Sequence, residues 1–150
     1  MKKVLLGHVA VDSGQLLLCD PCYIDSEWEK EDFTDVRVYK HKTTGKTLQY
    51  LVDFPNYATE IPGYGIDMNA LLQTGDWEQV EEAHKTEHGF SYNACCKETL
   101  SKKASGELTF KMGHTGAGLA FSTTYGDGMF PVYGLYYDDG NLHSVLVELA

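Results

Sequence analysis

Apolar runs and alternating apolar and polar residues recur along the chain, and both patterns are typical of short β-strands. The clearest alternation is at 107–112, where polar residues separate Leu108, Phe110 and Met112. Related patterns predict further strands at 3–11, 15–19, 36–39, 48–52, 119–121, 130–137 and 142–149. The sequence therefore predicts a mainly β fold.

Turn-forming residues separate these strands, and in three places they predict a hairpin. The three turns are Asp12-Ser13-Gly14, Thr43-Thr44-Gly45-Lys46 and Asp138-Asp139-Gly140-Asn141. Hairpins at this spacing, with few segments long enough for helices, favour an antiparallel β-sandwich or barrel-like sheet with short helices.

Helical patterns are short. Segment 26–33 starts at Ser26 and has Glu29 three residues later, which is the pattern of a capping box. Segment 93–103 predicts a second short helix, and 67–72 and 77–84 are each compatible with a helical turn or two. No linker or low-complexity tract divides the sequence, so residues 1–150 are expected to form a single β-rich domain.

The charge of the chain restricts its partners. Its formal net charge is −10 and its pI is about 4.9, and this charge disfavours binding to nucleic acid and to anionic membranes. The apolar run after Met1 stops at Gly7-His8, short of a signal peptide, and no stretch approaches the about 20 apolar residues of a membrane span. We expect a cytoplasmic protein whose partner is another protein or a small-molecule ligand.

The chain has four cysteines: Cys19, Cys22, Cys95 and Cys96. In a reducing cytoplasm they are expected to be free thiols. Cys22 is a candidate nucleophile if His8 or His114 lies within hydrogen-bonding reach of its sulfur. The alternative interpretation is that these cysteines are structural residues of the core.

Two segments carry a resemblance to a known family. They are Cys19-Asp20-Pro21-Cys22-Tyr23 and the run from Tyr125 to Tyr133, which contains Gly126-Asp127-Gly128. Together with Val11-Asp12-Ser13-Gly14 and Gly116-Ala117-Gly118-Leu119, they resemble an uncharacterised bacterial and phage domain family of unknown function. The resemblance covers the two ends of the chain and implies no particular activity.

Seven residues from these two segments are the candidate ligand-binding residues: Asp20, Cys22, Tyr23, Gly126, Asp127, Gly128 and Tyr133. Asp127 can turn its carboxylate toward backbone N–H groups or present an acid at the mouth of a strand. Its flanking glycines are expected to have positive φ, and Gly128→Val is expected to destabilise the fold. Asp20 precedes Pro21 and is expected to cap a turn. If the first and last sheets face each other, Asp20 and Asp127 would line one cleft.

One further motif has the formal spacing of a metal site. His84-Lys85-Thr86-Glu87-His88 fits H-x-x-E-H, in which two helical histidines bind zinc beside a general-base glutamate. Gly89 follows at once and no second helix with a distal ligand is evident, so we interpret the match as chance. Neither a metal nor a cofactor is expected.

The aromatic run near the end of the chain has two interpretations. Its members are Tyr125, Phe130, Tyr133, Tyr136 and Tyr137. They would form a stacking platform for a ligand, or pack in a core as aromatic residues on strands commonly do. The leading hypothesis is a non-enzymatic binding or interaction domain. The alternative is a small hydrolase or metal-dependent enzyme that uses Asp20, Asp127, Cys22 or the pair His84 and His88.

Overall fold

The computed structural model describes residues 1–32, 37–82 and 86–150. Its strands are β1 (Lys2–Val11), β2 (Gln15–Cys19), β3 (Arg37–His41), β4 (Thr47–Gln49), β5 (Trp77–Glu82), β6 (Ser105–Thr109), β7 (Thr115–Ser122), β8 (Gly128–Tyr136) and β9 (Leu142–Val147). Its helices are α1 (Tyr23–Ser26), α2 (Met68–Gln73) and α3 (Tyr92–Thr99). The fold is mainly β, as predicted.

The strands form three antiparallel sheets of three strands each, with the orders β1-β8-β9, β2-β7-β6 and β4-β3-β5. Within the described ranges these sheets stay open, and none closes into a barrel. The described residues include no helix with the length and apolar character needed to cross a membrane.

The β4-β3-β5 sheet and α2 enclose one hydrophobic core. Asp67 caps α2, because its Oδ1 accepts a hydrogen bond from the N–H of Ala70 at 2.8 Å. The fully buried Met68 anchors the helix in this core. The buried members are Tyr39, Leu48, Phe54, Ile61, Met68, Leu71 and Trp77.

The β2-β7-β6 sheet and α3 enclose a second core. Ser91 caps α3 by accepting a hydrogen bond from the N–H of Ala94. The small residues of β7 allow the helix to approach the sheet closely, and Ala117 and Ala120 are almost completely buried there. The buried members are Phe90, Ala94, Cys95, Leu108, Ala117 and Ala120.

The β1-β8-β9 sheet has no residue in either core cluster. Its buried side chains, Val11 and Phe130, lie where β1 ends and β8 begins, next to the rest of the protein. Apart from the buried Gly134, the remainder of the sheet is half-buried or exposed, and this distinguishes it from the other two sheets.

Two of the three predicted hairpins form and one does not. β3 pairs with β4 across the turn at Gly45, and β8 pairs with β9 across the turn at Gly140. The hairpin predicted at Asp12-Ser13-Gly14 is wrong, because β1 pairs with β8 and β2 pairs with β7. This turn therefore moves the chain from one sheet to another.

The helix predictions are partly confirmed. Helices form close to the predicted 67–72 and 93–103, as α2 and α3. The helix predicted at 26–33 is wrong over the described residues 26–32, since α1 ends at Ser26 and Glu29 instead forms a β-bridge with Ser91; residue 33 lies outside the described ranges. The helical turns suggested for 77–84 are also wrong over the described residues, where β5 pairs with β3.

The strand predicted at 107–112 ends early. β6 ends at Thr109, and the chain turns over the next residues before β7. Leu108 is buried as expected, but the side chain of Met112 is 92% exposed. The alternation of apolar and polar residues in the sequence therefore continues beyond Thr109, where the pairing of β6 with β7 ends.

Candidate functional site

The Gly126-Asp127-Gly128 turn contacts the loop between β1 and β2. Oδ1 of Asp127 accepts a hydrogen bond from the backbone N–H of Gly14 at 2.8 Å. Gly126 has φ of +86°, which confirms its expected conformation. The expectation for Gly128 is wrong, because this residue is already part of β8, opposite Val11, and lacks a positive φ.

Asp20 caps the turn that follows β2, as predicted. Its Oδ1 accepts a hydrogen bond from the backbone N–H of Cys22 at 2.9 Å. This hydrogen bond from the backbone lowers the pKa of Asp20, because it stabilises the ionised carboxylate. The aspartate therefore holds the chain in position for α1.

Cys22 is exposed, but its surroundings disfavour the thiolate. The hydrogen bond between its side chain and Asp20 raises the pKa of Cys22. In the described part of the chain no hydrogen bond joins Cys22 to His8 or His114, and the His114 ring instead stacks on Phe110 with centroids 4.5 Å apart. The geometry thus provides no activation for a Cys22 nucleophile.

The two candidate aspartates lie at opposite ends of β2. Asp20 follows the last residue of the strand, whereas Asp127 is bonded to Gly14, just before its first residue. Six residues of extended chain separate these ends by about 20 Å. The conjecture that Asp20 and Asp127 share one cleft is therefore wrong.

The two candidate tyrosines have different surroundings. The half-buried Tyr23 packs its ring edge-on against Phe110, with centroids 4.9 Å apart, at the margin of the α3 core. Tyr133 lies on β8, and Nζ of Lys3 is 4.0 Å above its ring. Tyr23 belongs to α1 and Tyr133 to the β1-β8-β9 sheet, and the described contacts do not bring them together.

The aromatic run does not form one platform. Phe130 is buried, Tyr125 is exposed in a turn, and Tyr137 packs edge-on against His143. Tyr133 and Tyr136 are an odd number of residues apart on β8, so they lie on opposite faces of the sheet.

The H-x-x-E-H motif falls partly outside the described residues, since His84 and Lys85 are not among them. Residues 86–88 are irregular rather than helical, so the helix required by the zinc-peptidase interpretation does not extend through the motif. Over the described residues no group of three or more His, Cys, Asp or Glu side chains is placed to hold a metal ion.

Glu87 and His88 instead line a cleft of about 410 Å³. Its other residues include Glu27, Glu29, Phe90, Thr109, Phe110 and Lys111. The ammonium of Lys111 lies 3.0 Å from Glu29, and its backbone N–H donates to Glu27 at 2.8 Å. Lys111 thus forms an ion pair with one of the three carboxylates that line the cleft.

A hydrogen-bond network centred on Glu31 lies beside this cleft. The hydroxyls of Thr86 and Ser91 each donate to Oε1 of Glu31 at 2.5 Å. Partial burial opposes ionisation of Glu31, but these hydrogen bonds outweigh it and lower its pKa. The network ties segment 27–32 to the start of α3. Nearby, the buried Oδ1 of Asn93 accepts no hydrogen bond from the described residues.

Sequence reasoning missed this cleft and also missed the exposed surface of the β1-β8-β9 sheet. Cross-strand pairs place Val4, Gly134 and Val145 on one face of this sheet, which we call the Gly134 face. The pairs of Tyr133 with Leu5 and with Leu146 define the opposite face, the Tyr133 face. No residue of the three strands is acidic, although the chain has 22 acidic residues.

A cluster of apolar side chains covers Gly134 on its face. A Cβ atom at Gly134 would lie 2.7 Å from the Tyr136 ring, 3.1 Å from Leu142 and 3.2 Å from Leu6. Leu6, Leu142 and Val145 are nevertheless 48%, 51% and 55% exposed. We call Leu6, Leu142 and Val145 the apolar mound. It is a hydrophobic surface that the described protein leaves about half exposed.

An open cavity of about 460 Å³ lies beside the apolar mound. Val4 and Tyr136 belong both to its lining and to the Gly134 face, and Lys2 and Asp138 place one charge of each sign in it. Its remaining lining residues are Tyr137 and Gly140. An exposed apolar surface and an open cavity therefore lie side by side.

Comparison with known proteins adds no assignment, since no family model, no curated protein and no solved structure matches the chain. The resemblance to an uncharacterised bacterial and phage family stays a prediction. The functional proposal below therefore depends on the geometry of the chain alone.

Proposed function

We propose that this chain is a non-enzymatic interaction domain that binds another protein chain through the Gly134 face of the β1-β8-β9 sheet. The observation that carries the proposal is the half-exposed apolar mound beside an open cavity. Contiguous exposed apolar surface of this kind marks interaction sites, whereas single exposed apolar residues are common on any protein.

The distribution of charge supports the proposal. The three strands contain no acidic residue, although the chain has 22 of them. Protein interfaces are depleted of charged residues at their centre and keep polar groups at the rim. Lys2 and Asp138, at the end of the sheet, are placed as such rim residues.

The two alternative functions, a small hydrolase and a metal-dependent enzyme, have less support. A hydrolase that uses Cys22 would need a stabilised thiolate, yet the hydrogen bond to Asp20 raises the pKa of this thiol. A metal-dependent enzyme that uses both aspartates would need Asp20 and Asp127 together, and β2 holds them apart. The cytoplasmic location is part of the same proposal, and the four free thiols agree with it.

A photo-cross-linking experiment in the source cells tests the proposal. A benzophenone amino acid replaces Leu142 in the apolar mound, and in a matched control it replaces Val52, which is 71% exposed in a turn outside the sheet. We expect protein adducts at position 142, no adducts at position 52, and loss of the position-142 adducts on Val145→Glu. Equal labelling at both positions, or no adduct at 142, would reject the interaction surface.

A further inference from the structure

We infer that the partner binds as an extended apolar segment of another protein with basic residues beside it, which pairs as an added strand with the free edge of β9. The inference rests on the proposed function and names the form in which the partner binds. Two of the three residues of the apolar mound, Leu142 and Val145, belong to β9 itself. A strand added at this edge therefore lies directly beside the mound.

β9 is an edge strand. The order of its sheet is β1-β8-β9, and within the described ranges β9 pairs with β8 alone. The backbone N–H and C=O groups on the side of β9 away from β8 therefore have no strand partner among these residues. A row of such groups is a template for another extended chain, and several kinds of protein domain bind peptides in this way.

One hydrogen bond identifies which residues of β9 face outward. The backbone N–H of Glu148 donates to the carbonyl of Pro131 at 3.2 Å, in the same register as the paired β8 and β9. Backbone groups of successive residues in a strand point to opposite sides, so Leu146 also faces β8, whereas Val145 and Val147 face outward. The free edge therefore presents the N–H and C=O groups of these two valines.

The other edge strands of the described sheets are protected against such pairing. β4 has three residues, and β5 and β6 contain glutamates. β1 contains two lysines and a register shift between Leu5 and Gly7, and β2 packs Leu17 against the α3 core. Short length, charge and bulges are common means by which proteins prevent pairing at an edge. From Ser144 to Val147, β9 is uncharged and regularly paired with β8, so its edge lacks these protections.

The side chains of β9 specify an apolar partner strand. A residue paired with Val145 places its side chain on the Gly134 face beside the apolar mound, and the next residue lies beside Leu146 on the Tyr133 face. Val145 and Leu146 are 55% and 41% exposed, so apolar neighbours on both faces would remove apolar surface from water. The added strand is therefore apolar at these positions.

Charge favours a basic segment over a second copy of the chain. The turn before β9 contains Asp138 and Asp139, and the fully exposed side chain of Asp138 lies 3.8 Å from the single positive charge of the N-terminus. A second copy would bring another net charge of −10 to this edge. Lysine or arginine residues beside the apolar segment would instead complement the acidic turn.

Proline substitutions in the protein with benzophenone at position 142 test this mode of binding. Val147→Pro removes an outward N–H and leaves the groups of Leu146 and Glu148 that face β8, an orientation in which an edge strand tolerates proline. Adducts at position 142 should fall at least about 10-fold. Val147→Ala keeps the N–H, and Ala10→Pro places proline at an outward position of β1, the other edge of the sheet. Both controls should keep the adducts within about 2-fold of the parent protein.

Amide hydrogen exchange of the wild-type protein, followed by NMR, tests the edge without any proline variant. The N–H groups of Val145 and Val147 should exchange at least about 10-fold faster than those of Leu146 and Glu148, which pair with β8. The opposite pattern, with slow exchange at the two valines, would overturn the inference because the edge would not be free.

The cross-linking outcomes separate the two proposals, with circular dichroism to confirm that each variant is folded. Adducts that persist in folded Val147→Pro overturn strand addition, while the interaction function stands. No adduct at position 142 in the parent protein rejects both proposals. An adduct of twice the chain's mass overturns the basic segment as the occupant. Adducts to another protein that are lost in Val147→Pro and kept in Val147→Ala and Ala10→Pro support both proposals.

Discussion

Asp127 is joined to Gly14 by a hydrogen bond of 2.8 Å between the side-chain Oδ1 and the backbone N–H. This contact links the loop between β1 and β2 to the loop between β7 and β8. Each loop carries the chain between the β1-β8-β9 and β2-β7-β6 sheets. Asp127 therefore joins the two loops that connect these sheets.

The link predicts a difference between two substitutions of Asp127. Asp127→Ala removes the acceptor and should lower the free energy of unfolding by about 1 kcal/mol. Asp127→Asn keeps an amide oxygen at the same position and should have a smaller effect. Urea unfolding measures both, with Asp12→Ala as a control in the facing loop. Equal stability of Asp127→Ala and wild type would show that the hydrogen bond contributes nothing.

The glycines on either side of Asp127 should respond differently to alanine. Gly126 has φ of +86°, so Gly126→Ala should cost about 1 kcal/mol or more. Gly128 has no positive φ, and an added Cβ would lie 3.4 Å from the Phe130 ring, so Gly128→Ala should cost less. Thermal unfolding of the two variants compares them directly. A larger loss at Gly128 would contradict the backbone argument.

The carboxylate of Glu31 should contribute stability only where it is ionised. Hydrogen bonds from Ser91 and Thr86 lower its pKa in the folded protein below the ordinary value of 4.5. This contribution is therefore fully present above about pH 4.5, and it is lost as the pH falls through the folded-state pKa. Unfolding of wild type and Glu31→Gln should differ at pH 7, and the difference should shrink as the pH falls below about 4.5. A difference that is independent of pH would reject the linkage.

The four thiols should react at different rates. Cys22 is exposed, while burial raises the pKa of Cys95 to about 12. A thiol reagent at pH 8 should therefore modify Cys22 first in the folded protein and all four cysteines in the unfolded chain. Cys22→Ser should remove the fast phase. Fewer than four reactive thiols after unfolding under non-reducing conditions would contradict the free-thiol assignment.

Local signals in the sequence predicted local structure well. The hairpin of β8 and β9 depends on a turn at Gly140 with φ of +87°, and the hairpin of β3 and β4 on a turn at Gly45 with φ of +72°. In both cases the residue that makes the turn lies between the two strands it joins, so a short window of sequence contains the whole signal.

Pairing between distant segments was not predictable in this way. The turn at Gly14 has the composition of a hairpin turn, yet β1 and β2 find partners much later in the chain. Likewise, pairing with β3 makes a strand of β5, where local pattern suggested helical turns. Tertiary contacts override weak local preferences in such segments.

The candidate sites depend on the same kind of distant contact. The cleft at His88 is built from residues near 28, 88 and 110, and no spacing in the sequence marks them as neighbours. The apolar mound combines Leu6 with Leu142 and Val145. Asp20 and Asp127 have individually recognisable turn chemistry, but their separation follows only from the position of β2.

The pairing of β1 with β8 has a consequence for synthesis of the protein on the ribosome. Lys2 lies opposite Tyr136, so the apolar strand β1 is synthesised long before its partner strand β8. At elongation speeds of about 5–20 residues per second, the interval between the two is roughly 7–27 s. During that time β1 is a nascent segment open to chaperones and to other chains, and completing its sheet is a late event in folding.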